Sequence, residues 1–304
     1  MRSLRAHKFL RGNCIFYLTG ILLVLGIKYY YSQADCDSLL WILTPTTRWV
    51  EFLSGIPFTY ISGTGYVNHD LRLLIAPSCS GVQFMIITIA TLVFSFVHIA
   101  ASSQETSDFK SVLRVCRGMG WIAACMVFSW LFTIMVNGLR IIVAIYLPLY
   151  LGDAGLMGGI LTSDRLHTVI GVVVYFTALL TLYRLVDYTV QRKITLTGHS
   201  QNNNFGRIKD NGIKDNGIKN NSIISRERFL KTLTRKCIPP IFWYFLMTLG
   251  LPFLNRAYLK SGTGFMEFAI LIICCIVLVL LPYCVLSLLY SQKVRGKKQI
   301  SGKY

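Results

Sequence analysis

Apolar runs approaching twenty residues recur along this chain and set its class before any motif is considered. A helix needs about twenty apolar residues to cross the ~30 Å hydrocarbon core of a bilayer. Runs of that kind occupy Cys14–Tyr31, Val82–Ala100, Met119–Val136, Thr168–Tyr183 and Phe265–Tyr290. A shorter one, Ile238–Leu254, starts next to Pro239-Pro240 and is read as a span as well. In lipid the backbone must satisfy its own polar groups, so such runs are helices. The expected fold is an all-α polytopic integral membrane protein of about six transmembrane helices, or up to eight if short amphipathic or re-entrant helices are counted.

Charge then orients the chain. With 54% hydrophobic and 14% charged residues, the net charge of +18 is not that of a soluble nucleic-acid module. Most of the 31 Lys and Arg residues fall in the segments that an even number of spans places on one side: the N-terminal Arg2–Arg11, the loop with Lys110, Arg114 and Arg117, the stretch 184–236, and the tail beyond Lys293. By the positive-inside rule both termini are cytoplasmic and the chain belongs in the cytoplasmic (inner) membrane, with the bilayer as its partner and no nucleic acid. The basic N-terminus before Cys14 also fits a signal peptide. The length of the run, Tyr29-Tyr30-Tyr31 at its end and the lack of a small-residue cleavage site favour an uncleaved first span.

Two apolar stretches do not fit as spans. Ser38–Phe58 carries Pro45, Arg48, Glu51 and Pro57 and reads as an amphipathic element on the outer face. Ile141–Leu151 is too short to cross and is re-entrant, interfacial or an extension of the third helix. Tyr60–Ala76, rich in glycine and β-formers, reads as an extended or hairpin lead-in, with His69 and Asp70 as minor candidates for chemistry. Residues 207–223 repeat Ile-Lys-Asp-Asn-Gly with drift, which marks low complexity. The expected organisation is a transmembrane core at 1–190, a cytoplasmic linker at 191–236, and a C-terminal transmembrane hairpin with a basic tail at 237–304.

Chemistry concentrates at helix ends. In Pro77-Ser78-Cys79-Ser80-Gly81, Ser78 reads as the N-cap of the second span, with Cys79 in its first turn, where free N–H groups favour a thiolate. A membrane cysteine is more often a packing residue, and a Cys36–Cys79 disulfide is also open. Arg140, at the end of the third span, either snorkels to headgroups or has a functional partner. His167 and Gly171, four apart at the start of the fourth span, share a face, and the glycine admits a close neighbour beside the imidazole. The topology thus brings a thiol, a guanidinium and an imidazole to one leaflet, and Cys–His is a working nucleophile–base pair. The other reading is a non-enzymatic carrier or assembly scaffold with an anion site built on Arg140 and Arg165. No Cys/His cluster has zinc spacing, and neither metal nor organic cofactor is expected.

Cys79-Ser80-Gly81, Asn137-Gly138-Leu139-Arg140 and His167-Thr168-Val169-Ile170-Gly171, in that order at successive helix ends, resemble the exosortase/archaeosortase family of membrane cysteine transpeptidases. The likeness covers roughly residues 10–190 and includes the amphipathic lead-in from Leu43 to Pro57. It implies Cys79 as nucleophile, His167 as general acid/base and Arg140 as electrostatic stabiliser, with Asn137, and more weakly Arg165, in substrate binding. Arg165 is otherwise an interfacial anchor. The implied substrates are secreted proteins with a C-terminal recognition motif, a transmembrane helix and a basic tail, cut at the outer face through a thioacyl intermediate. Residues 191–304 have no counterpart in the minimal family core.

Overall fold

The computed structural model describes residues 2–100, 108–151, 163–201, 237–256, 259 and 263–301. The repeat at 207–223 lies outside the described residues. Seven long or medium helices carry the chain: α1 (Arg2–Gln33), α2 (Leu40–Ser54), α3 (Val82–Ala100), α4 (Asp108–Leu151), α5 (Ser163–Gln201), α6 (Cys237–Leu254) and α7 (Thr263–Ser301). All but α2 contain a segment long and apolar enough to cross a bilayer, which makes six among the described residues. The mostly helical, six-span architecture expected from the apolar runs is therefore present.

Cα packing divides the chain into two compact units, Met1–Thr177 with Trp243–Val279, and Ala178–Phe242 with Leu280–Tyr304. In the second unit, Leu180 and Cys237 are buried against Ile241, Leu280, Tyr283 and Cys284. Arg184 lies over the Tyr283 ring, 5.6 Å from its centroid. The first unit holds the chemistry. Its central helix is α3, whose most apolar window is 83% buried, against 17% for the α1 window. Thr88 and Thr91 return their hydroxyls to carbonyls one turn back, so the buried helix exposes no unpaired hydroxyl there. Gly20 of α1 packs on Val93 and Phe94 of α3, and Gly118 of α4 takes the Phe16 ring against its backbone.

The stretch Ile141–Leu151 is the continuous end of α4. At 44 residues and ~1.5 Å per residue, α4 is roughly twice as long as the hydrocarbon core is thick, so its ends must project. Arg140 therefore does not end a helix. It lies three turns before the end of one, and its side chain is buried.

The amphipathic segment forms α2, which keeps Pro45 inside its first turns and buries Ile42, Leu43, Thr46, Thr47 and Val50. It ends at Gly55, in the left-handed conformation, whose N–H returns to Glu51. The lead-in is more regular than a single hairpin. Strands β1 (Thr59–Ile61), β2 (Gly65–Asn68) and β3 (Leu73–Ile75) form an antiparallel sheet in sequence order, with Tyr60 opposite Tyr66 and Val67 opposite Leu74. Gly63 supplies the positive φ of the three-residue β1–β2 loop. Gly65 passes so close to the Ile75 carbonyl that a Cβ would stand 2.5 Å from it.

Side chains of the neighbouring elements hold this small sheet in place. Tyr66 donates to Thr44 of α2 at 2.8 Å, and Asn68 donates to the Pro57 carbonyl at 2.8 Å. The Asp37 carboxylate accepts from the Tyr60 hydroxyl, from Ser62 at 2.9 Å and from the Gly63 N–H at 3.2 Å. These donors, Tyr60 first, hold the Asp37 carboxyl below its ordinary range. The same bond pushes the Tyr60 phenol up to about 12. A depressed carboxylate stabilises the fold above its unfolded pKa of roughly 3.9, and a raised phenol stabilises it below roughly 10. The clasp is therefore complete from mildly acidic to mildly alkaline pH. It weakens as pH falls through the folded Asp37 value or rises towards that of Tyr60. Asp37→Asn and Tyr60→Phe should each raise protease sensitivity within 56–76 at neutral pH. Asp37→Asn should also remove the acid-side increase seen in the parent, as read by limited proteolysis across a pH series.

Candidate functional site

Strand β3 delivers the chain to Ala76, which is extended, and then to a single 3-10 turn, Pro77–Cys79. The Cys79 N–H bonds the Ala76 carbonyl at 2.8 Å and the Ser80 N–H bonds that of Pro77 at 3.1 Å. Gly81 then takes a φ of 75°, and only after this reversal does α3 begin at Val82. The expectation of Ser78 as N-cap, with Cys79 in the first turn of the span, is thus corrected. The thiol sits one tight turn upstream, because the left-handed residue at 81 separates the turn from the helix. Cys79 is a half-buried free thiol and Cys36 a buried free thiol, so no disulfide joins them.

Asn137 of α4 ties this turn to the helices. It is fully buried, and its amide donates to the Cys79 carbonyl at 2.6 Å. Its Oδ1 accepts from the Tyr175 hydroxyl at 2.6 Å and faces Arg140 Nη1 at 3.4 Å. Asn137, expected in substrate binding, has its carboxamide bonded to the Cys79 backbone, Tyr175 and Arg140.

Arg140 is 7% exposed. Its Nη1 also reaches the Tyr175 hydroxyl at 3.3 Å, and its guanidinium carbon lies 5.3 Å from the centroid of that ring. Phe84 of α3 stacks on the other side of the arrangement, with ring centroids 4.5 Å from Tyr175 and planes 9° apart. Arg140 Nη2 stands 2.5 Å from His167 Nε2. A guanidinium has only donors, so Nε2 faces it as the acceptor. The same Nε2 is 4.0 Å from Cys79 Sγ. Thiol and guanidinium thus converge on one lone pair. Among the described residues, no carboxylate lies within ion-pair distance of Arg140.

The three motif glycines each have a separate steric cause. A Cβ at Gly81 would stand 2.9 Å from the Asn137 side chain, in addition to the strain of its positive φ. One at Gly138 would stand 2.4 Å from the Trp49 ring of α2. One at Gly171 would press on Arg140 Nε at 3.2 Å. The space that Gly171 leaves on the His167 face is thus taken by the Arg140 guanidinium of the neighbouring helix α4.

Arg165 does not join this cluster. Its guanidinium bonds Glu267 of α7 at 2.7 Å, with both side chains about half exposed. His69 and Asp70 are exposed beyond β2. The residue that sequence reasoning missed is Tyr175, although it continues the four-residue stripe His167, Gly171, Tyr175 on one face of α5. Also missed was the contribution of the C-terminal hairpin. A cavity of about 210 Å³ beside the Cys79 turn is lined by Arg140 and His167 together with Tyr244, Thr248, Phe268 and Ile272. No group of His, Cys, Asp and Glu suited to a metal ion occurs among the described residues.

Comparison with protein-family models, with curated proteins and with solved structures returns no match for this chain.

The glycine geometry makes a prediction within one helix. Gly138→Ala should lower thermal stability in detergent by about 1–3 kcal/mol through overpacking on Trp49. Gly120→Ala, also in α4 but with nothing within 4 Å of its Cβ position, should be neutral or stabilising by up to about 1 kcal/mol. Equal shifts for the two variants would contradict the packing described.

Proposed function

We propose that this chain is a membrane-embedded cysteine peptidase-transpeptidase of the exosortase/archaeosortase type. On this reading it cleaves C-terminal sorting signals of secreted proteins at the outer face of the cytoplasmic membrane. The observation that carries the reading is the meeting of Cys79, His167 and Arg140, from a turn and two different helices, within 4.0 Å of one imidazole nitrogen. The bias of basic residues towards the other side of the spans supports an outward-facing site.

The chemistry runs through groups in place. Cys79 transfers its thiol proton to His167 Nε2, and the thiolate attacks the scissile carbonyl carbon. Negative charge moves to the carbonyl oxygen, a stronger acceptor than a neutral imidazole, and Arg140 turns its Nη2 donor from His167 to that oxygen. Because Nε2 has a single lone pair, this movement and the proton transfer from the thiol are one concerted step. Protonated His167 then gives its proton to the leaving amine, the C–N bond breaks, and a thioacyl-enzyme remains. An acceptor nucleophile attacks the thioester, transfers its proton through His167, and returns the thiol. Asn137 holds the Cys79 backbone throughout.

The carrier reading relies on two arginines, and Arg165 is engaged with Glu267, which leaves Arg140 as the cation at the cavity. The test uses a secreted protein from the same cell that ends in a motif, a helix and a basic tail. Cys79→Ser and Cys79→Ala should abolish its processing and anchoring. His167→Ala should slow thioacyl formation by about 10²–10⁴-fold, and Arg140→Ala by about 10²–10³-fold. Unchanged processing in Cys79→Ser would overturn the enzyme reading, whereas an anion carrier would tolerate loss of the thiol and fail on loss of Arg140.

A further inference from the structure

The C-terminal hairpin has no counterpart in the family core, yet half of it packs in the same compact unit as Cys79, Arg140 and His167. On α6, Tyr244 and Thr248 are one turn apart, and on α7 so are Phe268 and Ile272. All four line the cavity. The helix is also locally reshaped there. Leu246–Gly250 is a π-helical turn, closed by the Leu251 N–H on the Leu246 carbonyl. The next bond of that series would come from residue 252, which is proline and has no N–H. The Met247 carbonyl is met instead by the side-chain amide of Gln83, in the first turn of α3, at 3.5 Å. A π-turn of this kind is often found at functional sites, and this one lies against the helix that follows the nucleophile turn. Next to Phe268 in sequence, Glu267 of α7 bonds Arg165, two residues from His167.

We infer that the C-terminal hairpin is the specificity wall of the site: Tyr244, Thr248, Phe268 and Ile272 select the substrate side chain that enters beside Cys79, and the Arg165–Glu267 pair holds the wall in register. The inference rests on the peptidase reading. At about 210 Å³ the cavity is smaller than the roughly 300–1,000 Å³ of small-molecule sites, and it suits one or two uncharged side chains. Its wall is aromatic and aliphatic apart from the hydroxyls of Tyr244 and Thr248, and the Thr248 hydroxyl is turned back onto the Tyr244 carbonyl at 2.7 Å. The class accepted is therefore an apolar or small residue flanking the scissile bond. Arg140, which also lines the cavity, is left for the carbonyl oxygen.

The test reads the wall without requiring turnover. The full chain in vesicles is treated with methyl or benzyl methanethiosulfonate, and labelling at Cys79 is followed by peptide mass spectrometry. Thr248→Phe and Ile272→Trp should slow benzyl labelling by about tenfold or more while methyl labelling stays within about twofold, as expected for filling a close-packed pocket. Glu267→Gln should weaken this size discrimination, and the exchange Arg165→Glu with Glu267→Arg should restore it. An unchanged benzyl-to-methyl ratio in both cavity-filling variants would overturn the wall, whatever the enzyme does. Thr248→Ala should then let processing accept a larger side chain next to the scissile bond. A changed labelling ratio with unchanged substrate preference would overturn the specificity role and leave the peptidase reading standing. Processing that survives Cys79→Ser would defeat the peptidase reading, and the specificity role with it, through a separate measurement.

Discussion

A guanidinium buried in the membrane part of a protein has to be stabilised by everything around it. Removing a charge from water costs several kcal/mol even after relaxation, and among the described residues Arg140 offsets that cost without a carboxylate within ion-pair distance. It has the Asn137 carbonyl oxygen, the Tyr175 hydroxyl and ring face, and the His167 lone pair. Each partner is fixed by something further out. Phe84 stacks Tyr175, Tyr175 and the Cys79 carbonyl hold Asn137, and Gly171 leaves the space that the guanidinium occupies. Such a site favours an anion, and an oxyanion formed at Cys79 would be one.

The same network explains why the extramembrane part is ordered. A thiol on a turn between a sheet and a helix is only as well placed as the two ends of that turn. At one end the sheet is clasped by Asp37 and by Tyr66 on Thr44, and β3 leads straight into Pro77. At the other end Gly81 reverses the chain beneath Asn137. Helix α2 packs its Trp49 onto Gly138, between Asn137 and Arg140, so the amphipathic segment bears directly on the helix that carries them.

Much of this was legible along the chain, because one-dimensional signals report one-dimensional constraints. Apolar run length gave the spans, and the four-residue interval between His167 and Gly171 a shared face. The same interval reaches Tyr175, and Asn137 and Arg140 lie three apart on α4, so most of the cluster was within reach of helical periodicity. The Cys79 turn was not. Ser78 has the chemistry of an N-cap and sits where one is expected, but a left-handed Gly81 moves the helix start to Val82, and glycine adopts that conformation or an ordinary one with equal ease.

By itself, then, the sequence determined a six-span helical membrane protein and supplied the residue types able to do thiol chemistry. Hydrophobic length acts locally and does not depend on which helices meet. Only the tertiary structure decided that Arg140 is buried within a long helix and not snorkelling from the end of one. It also decided that Asn137 grips the Cys79 backbone, that Arg165 is paired with Glu267, and that Tyr244 and Thr248 face the same cavity as His167. Those outcomes depend on which faces of distant segments pack together. That is set by the fit of side chains such as Trp49 on Gly138 and the guanidinium of Arg140 on Gly171, which no single stretch of sequence contains.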